Sequence, residues 1–158
     1  MSVLGQLAAV ELDRAIAALR ALWRQLKGDA PVPLRSAFSP ELLKPWLPNI
    51  VIVEAIGPQP RFRVRLAGTA AVGFAGRDFT DKFLDTVIPP AQYDVTIAPY
   101  LRAIDSGLPM EDDILSHQFI APDGVSLPVR RLVMPCSSDG AGIDRFVVGL
   151  FLYRPESR

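Results

Sequence analysis

Residues 61–78 read RFRVRLAGTAAVGFAGRD, and the reading of this stretch decides the fold. Its first half alternates. Arg61, Arg63 and Arg65 interleave with Phe62, Val64 and Leu66, the period of two of a strand with one buried face. Its second half is punctuated by Gly68, Gly73 and Gly76, and a strand running into glycines suggests a phosphate-binding loop. Gly68 and Gly73 have the spacing of G-x-x-x-x-G-K-[ST]. Phe74 and Ala75, however, stand where a lysine and a hydroxyl would have to reach the phosphates and their metal. The G-x-G-x-x-G triplet of a dinucleotide site occurs nowhere in the chain. The glycines therefore turn the chain out of the strand and let a short helix pack close.

Working outward, residues 49–56 (NIVIVEAI) are rich in β-branched side chains and pair with 61–67 as a hairpin across Pro58 and Pro60. From 68 to 105 the strand signal lapses. Short helical pieces are expected there, then a longer helix over 91–104 closed by Gly107 and Pro109. Strands return over 113–120, 125–135 and 145–153, separated by turns at Pro122-Asp123-Gly124 and at 138–142. The last strand is apolar on both faces, with Phe146, Val148, Leu150 and Leu152 on one side and Val147, Phe151 and Tyr153 on the other. A strand covered on both faces lies near the middle of its sheet, so the last strand must sit beside the first. The result is an α+β fold: a five-stranded antiparallel sheet with the helical segment on one face, leaving an N-terminal helix free to cover the other.

That helix is read over 4–27, where Leu12, Ile16, Leu19, Trp23 and Leu26 form one stripe and Gly28 ends the run. The stripe suits packing on the chain's own sheet, and it is also the candidate dimer interface; the two are compatible. Residues 28–38 read as a loop, and Ser39-Pro40-Glu41 as an N-cap, a first-turn proline and a first-turn acid. Pro45 and Pro48 keep the helix that follows short. The expected organisation is an amphipathic helix to residue 28, a linker with a short helix over 29–48, a core over 49–153 and a tail over 154–158.

A chain of 158 residues fits one domain, and 49% hydrophobic with 22% charged residues is a globular composition. Seventeen basic residues balance seventeen acidic ones, which argues against a nucleic-acid partner. One cysteine, Cys136, allows no internal disulfide and points to a reducing compartment. Glu11, Asp13 and Arg14 break the apolar N-terminus, so it does not read as a signal peptide. The run over 146–153 falls far short of the ~20 apolar residues a membrane helix needs. A cytoplasmic protein is expected.

Four stretches together carry a family resemblance: LWRQLKG at 22–28, LPN at 47–49, RFRVRLAGTAAVGFAGRDFTDKFLDTVIPP at 61–90 and RRLVMPCSSDG at 130–140. They resemble a bacterial subfamily of stand-alone PAS domain proteins over residues 12–153. The motifs are a Leu-Trp near the end of the first helix, a Tyr-Arg-Leu-x-Gly-Thr strand end, a Gly-Arg-Asp-hydrophobic-Thr-Gly turn and a late Arg-Leu-x-x-Pro strand. This chain departs from them at Val64, in the aromatic position, and at Asp81, in place of the second turn glycine. The resemblance implies a sensory or regulatory domain without catalytic output, acting through a small ligand, through signal-dependent protein contacts, or both. A homodimer and a regulatory protein partner go with that role. The alternative is a ligand-free interaction or dimerisation module with a filled core.

PAS domains elsewhere hold haem, flavin or other small ligands, and the residues here favour neither of those two cofactors. The long helix offers no histidine to ligate haem; the single histidine, His117, is in a strand. A photoactive flavin domain carries its reactive cysteine in the helical segment, whereas Cys136 ends a late strand and reads as a small hydrophobe. The candidate ligand-pocket residues, by position, are Phe83, Tyr93, Leu101, His117, Phe119 and Leu132. The ridge Arg61, Arg63 and Arg65, with Arg130 and Arg131, could recognise an anion, but reads first as a solvated face or as ion pairs with acids such as Glu11 and Asp13. Glu111, Asp112 and Asp113 read as the charged start of a strand. One histidine, one cysteine and the absence of H-x-x-x-H or G-x-S-x-G argue against an enzyme.

Overall fold

The sheet order follows from the two-faced burial of the last strand. The computed structural model describes residues 6–115 and 128–154, the side chains of Phe74 and Leu115 excepted. Five strands, β1 (Ile50–Ile56), β2 (Arg61–Ala67), β3 (Met110–Leu115), β4 (Pro128–Cys136) and β5 (Arg145–Leu152), form one antiparallel sheet in the order β2-β1-β5-β4-β3. The expected pairing of first and last strands is present, with Val51 opposite Val148 and Val53 opposite Phe146. Strand β3 begins earlier than expected, because Glu111, Asp112 and Asp113 lie inside the ladder opposite Leu132, Arg131 and Arg130. The expected turn at 122–124 and the expected tail from 155 onward lie outside the described residues.

One face of the sheet carries Val51, Val53, Phe62, Val64, Val129, Val133, Phe146 and Val148, all buried. Over it run α3 (Thr69–Ala75), α4 (Leu84–Val87) and α5 (Pro90–Ser106). The other face carries Ile50, Ile52, Leu132, Met134, Cys136, Val147 and Phe151, packed with Phe38, Leu43 and the stripe of α1 (Ala9–Lys27). The Trp23 indole N–H, which would be costly to bury unpaired, donates to the Pro135 carbonyl at 2.8 Å. Ser39 accepts from the Leu42 N–H at 3.2 Å and so caps α2 (Pro40–Leu43), which a 3-10 turn over Lys44–Asn49 extends.

Two glycines do distinct work. At Gly68 an added Cβ would sit 2.3 Å from the Pro48 carbonyl oxygen, so only glycine lets that turn lie against the start of α3. Gly76 closes α3 in the left-handed region at φ 82°. Asp81, where the resembling proteins have glycine, also takes left-handed backbone, at φ 65°. Its N–H donates to the Val64 carbonyl at 2.7 Å, and the Val64 N–H donates to the Lys82 carbonyl at 2.9 Å. This segment covers part of the free edge of β2.

Strand β2 departs from strict alternation. Ile52 faces Leu66 but Val53 faces Val64, so Arg65 is an extra residue in a bulge. Leu66, expected on the buried face with Phe62 and Val64, is therefore turned outward and 40% exposed.

Candidate functional site

The space between the sheet and α3–α5 is the enclosed interior of the described fold. Val51, Val53, Val64, Leu84, Ile88, Val148 and Leu150 supply its apolar walls, and Thr96, Tyr100 and Arg131 its polar groups. The room left open to a water-sized sphere is about 10 Å³. That is enough for about one water. Rings fill the centre: Tyr100 lies 5.1 Å from both Phe62 and Phe146, edge-on to the latter.

Arg131 is the unusual member, a charged side chain on an otherwise apolar row with 1% of its side chain exposed. Asp112, directly opposite on β3, takes a bidentate pair from it, Nε to Oδ1 at 2.9 Å and Nη2 to Oδ2 at 2.8 Å. Its guanidinium carbon also lies 5.6 Å from the centre of the Tyr100 ring. Burial alone would lower the Arg131 pKa, but the bonds to Asp112 and the neighbouring Tyr100 outweigh it and the net shift is upward. Burial pushes the Tyr100 hydroxyl up. The Arg131 guanidinium is thus committed to Asp112 within the chain.

The sequence-derived pocket residues fall in different places. Tyr93 packs, partly buried, against the interior cluster, and burial raises its hydroxyl pKa. Phe83 lies at the β2 edge under the Arg61 guanidinium, 3.9 Å from its ring centre. Leu101 is 41% exposed on the outer side of α5. Leu132 is fully buried, but beneath α1 on the opposite face of the sheet. His117 and Phe119 lie outside the described residues. The residues that line the space and are absent from the pocket candidates include Thr96 and Tyr100, four apart on α5, and Arg131, which reads in the sequence as part of the arginine ridge. Their helical spacing was a usable signal for the first two.

The stripe of α1, the candidate dimer interface, is turned to the chain's own sheet. Leu12, Ile16, Leu19 and Trp23 are 2%, 6%, 0% and 3% exposed within the single chain, because they pack on its own sheet. Leu26 is half-buried and borders an open surface groove of about 670 Å³ with Val32, Leu34 and Leu108.

Ion pairs absorb the arginine ridge, but not with Glu11 or Asp13. Glu11 instead accepts from the Ala8 N–H at the start of its own helix. Arg61 makes a bidentate pair with Asp85, at 2.8 and 2.9 Å, which raises the arginine's pKa and lowers the acid's. Arg130 binds Asp113 and Glu111, and Glu111 also meets Arg20 of α1 at 3.0 Å. Arg63, Arg65 and Arg145 all converge on Glu54. Cys136 is buried under α1, and burial pushes its thiol up to about 12. Among the described residues no His, Cys, Asp and Glu side chains gather as a metal site, and no helix is long and apolar enough to cross a membrane.

A family model described as PAS domain matches residues 12–151. No curated protein sequence matches the chain. Among solved structures it is similar to the PAS domain of Bordetella pertussis BvgS, at 16% identity and TM-score 0.51, over 69% of this chain and 79% of that one. It is similar to a Rhodobacter sphaeroides LOV protein at 11% identity and TM-score 0.51, over 89% and 67% of the two chains. A light-oxygen-voltage domain studied with a flavin analogue matches at 10% identity and TM-score 0.53, over 71% and 82%. At these identities the three structures share the fold.

Proposed function

The chain belongs to the PAS domain family, and on that basis we propose that it is a sensory domain that signals through protein contacts, its interior filled by its own side chains. The observation that carries this reading is the interior space of about 10 Å³. Pockets for drug-sized ligands and cofactors run from about 300 Å³ upward. A flavin or haem does not fit among the side chains described. The one charged side chain among the described residues lining this space, Arg131, is already held by Asp112.

The proposal extends to a non-catalytic, cytoplasmic regulator of the bacterial stand-alone kind, working as a homodimer or on a regulatory protein partner. The motifs at 22–28, 47–49, 61–90 and 130–140 support the subfamily, and the buried, protonated Cys136 thiol supports the absence of a cysteine nucleophile. With the α1 stripe covered, either contact would use another surface.

Thermal unfolding in the presence of riboflavin 5′-phosphate, hemin and small dicarboxylates tests the filled interior. A ligand at 100 times its Kd stabilises by about 2.7 kcal/mol. The proposal expects no such rise. A rise of that size that is lost in Tyr100→Ala would overturn it.

A further inference from the structure

The outer face of β1 and β2, beyond the reach of α1, carries an unusual charge arrangement. Arg63, Glu54 and Arg145 form one cross-strand row, since Glu54 pairs with both neighbours in the ladder. Glu54 Oε1 lies 3.3 Å from Arg63 Nε and 3.5 Å from Arg65 Nε, and Oε2 lies 3.0 Å from Arg145 Nη2. One carboxylate thus serves three guanidinium groups. Arg63 Nε and Glu54 Oε1 are both shut off from solvent, yet neither makes a well-formed hydrogen bond. A buried N–H donor left this way is costly, while the Arg63 and Arg65 side chains, 32% and 50% exposed, stay open to a further acceptor.

Two further acids reach the rim, but loosely. Asp81 stands 3.8 Å from Arg65 with 71% of its side chain exposed. Asp144 lies 3.4 Å from Arg145, while its carboxylate also accepts from the Ser138 N–H and hydroxyl. The exposed Arg65–Asp81 pair contributes little and yields to a better-placed partner.

Exposed apolar side chains border the arginines. Leu66, 40% exposed, is on this face because of the bulge at Arg65, and Ile56, 41% exposed, lies on the same face of β1. A bulge re-aims side chains, and here it presents an arginine and a leucine side by side. Under strict alternation, with no bulge, Leu66 would turn inward with Phe62 and Val64.

We propose that this face docks an acidic amphipathic segment of a partner protein, its carboxylates on Arg63, Arg65 and Arg145 and its apolar side chains on Leu66 and Ile56. The proposal rests on the contact-signalling reading above and names the surface and the chemistry of the partner. A second copy of the same face would set arginines against arginines. Nucleic acid would meet Glu54 at the centre of the patch and gain nothing from the two exposed aliphatic side chains.

The test is fluorescence anisotropy with a labelled peptide carrying Glu and Leu at helical spacing, beside a matched peptide with Lys for Glu and a single-stranded DNA oligonucleotide. The acidic peptide is expected to bind and to weaken as salt is raised. Arg65→Glu and Leu66→Ser should each weaken it about tenfold or more, about 1.4 kcal/mol. Arg14→Glu, on the exposed side of α1, should leave it unchanged. Circular dichroism checks that each variant is folded. The inference is overturned if the acidic peptide fails to bind, if binding ignores Arg65→Glu and Leu66→Ser, or if the Lys peptide or DNA binds as tightly. A ligand bound in the interior would refute the filled core and leave this result standing, so the two failures are distinguishable.

Discussion

Gly68→Ala is predicted to be among the most damaging single-methyl changes in the chain. The new Cβ would lie 2.3 Å from the Pro48 carbonyl oxygen, 2.5 Å from that of Leu47 and 2.6 Å from the Pro48 carbonyl carbon. Ordinary contact needs about 1 Å more. All three atoms are backbone, so no side chain can swing away. The turn that carries them is fixed at its end by the Asn49 amide, which donates to the Leu150 carbonyl at 2.9 Å. The Gly68 N–H itself donates to the Ile50 carbonyl at 2.8 Å. Relief therefore requires giving up one of these bonds as well as the packing of α3. Overpacking of this kind costs about 3 kcal/mol. In a chain of this size that lowers Tm by about 6–12 °C. Gly73→Ala is the internal control. Nothing lies within 4 Å of its added Cβ, and its backbone is that of the exposed side of α3, so alanine should gain up to about 1 kcal/mol of helix propensity. Thermal denaturation of the two variants reads the difference directly. If Gly68→Ala melts within about 2 °C of the native chain, the close approach is not what holds this turn.

Leu19→Glu should unfold the domain and not merely dissociate an oligomer, because Leu19 is fully buried on its own sheet over Gly149. Far-ultraviolet circular dichroism should show the loss, whereas a folded monomer would return α1 to the role of a seam. Asp112→Ala should cost about 3 kcal/mol in urea titration, since it strands the buried Arg131 guanidinium. The double change Asp112→Leu with Arg131→Met should recover most of that, and a double variant as unstable as the single one would contradict the assignment. The Cys136 thiol, held protonated by burial up to about 12 against an ordinary 9, should resist alkylation at pH 8 until the chain is unfolded. With the folded pKa raised, its contribution is complete below pH 9 and declines as the pH rises towards 12, so fast labelling at pH 8 in native buffer would count against it.

The architecture was readable where burial leaves a periodic mark. Strand β5 is apolar on both faces, and that property alone placed it between β1 and β4. Alternation marks β2, but a bulge has no signature of its own in a row of Arg and apolar residues, so the pattern alone puts Leu66 on the wrong face. Strand β4 is buried on both faces, which removes the alternation that would have distinguished Arg131 from Leu132. An arginine in an apolar row reads as outward-facing. Only its pairing with Asp112 across the ladder reveals that it points in. The same pairing explains the acids at 111–113, which a one-dimensional reading took for the charged start of a strand. On α5 the spacing of Thr96, Tyr100 and Ala103 was available, and following it would have favoured Tyr100 over Leu101. The convergence of Arg63, Arg65 and Arg145 on Glu54 spans three strands and depends on register, so no local pattern carries it.

Native mass spectrometry of the protein as purified, set against its denatured mass, tests the filled interior most directly. The account predicts one mass, that of the bare polypeptide, in both conditions, whether the species is a monomer or a dimer. A stoichiometric extra mass that dissociates on unfolding would contradict it, and its value would identify the ligand class that the interior had opened to hold.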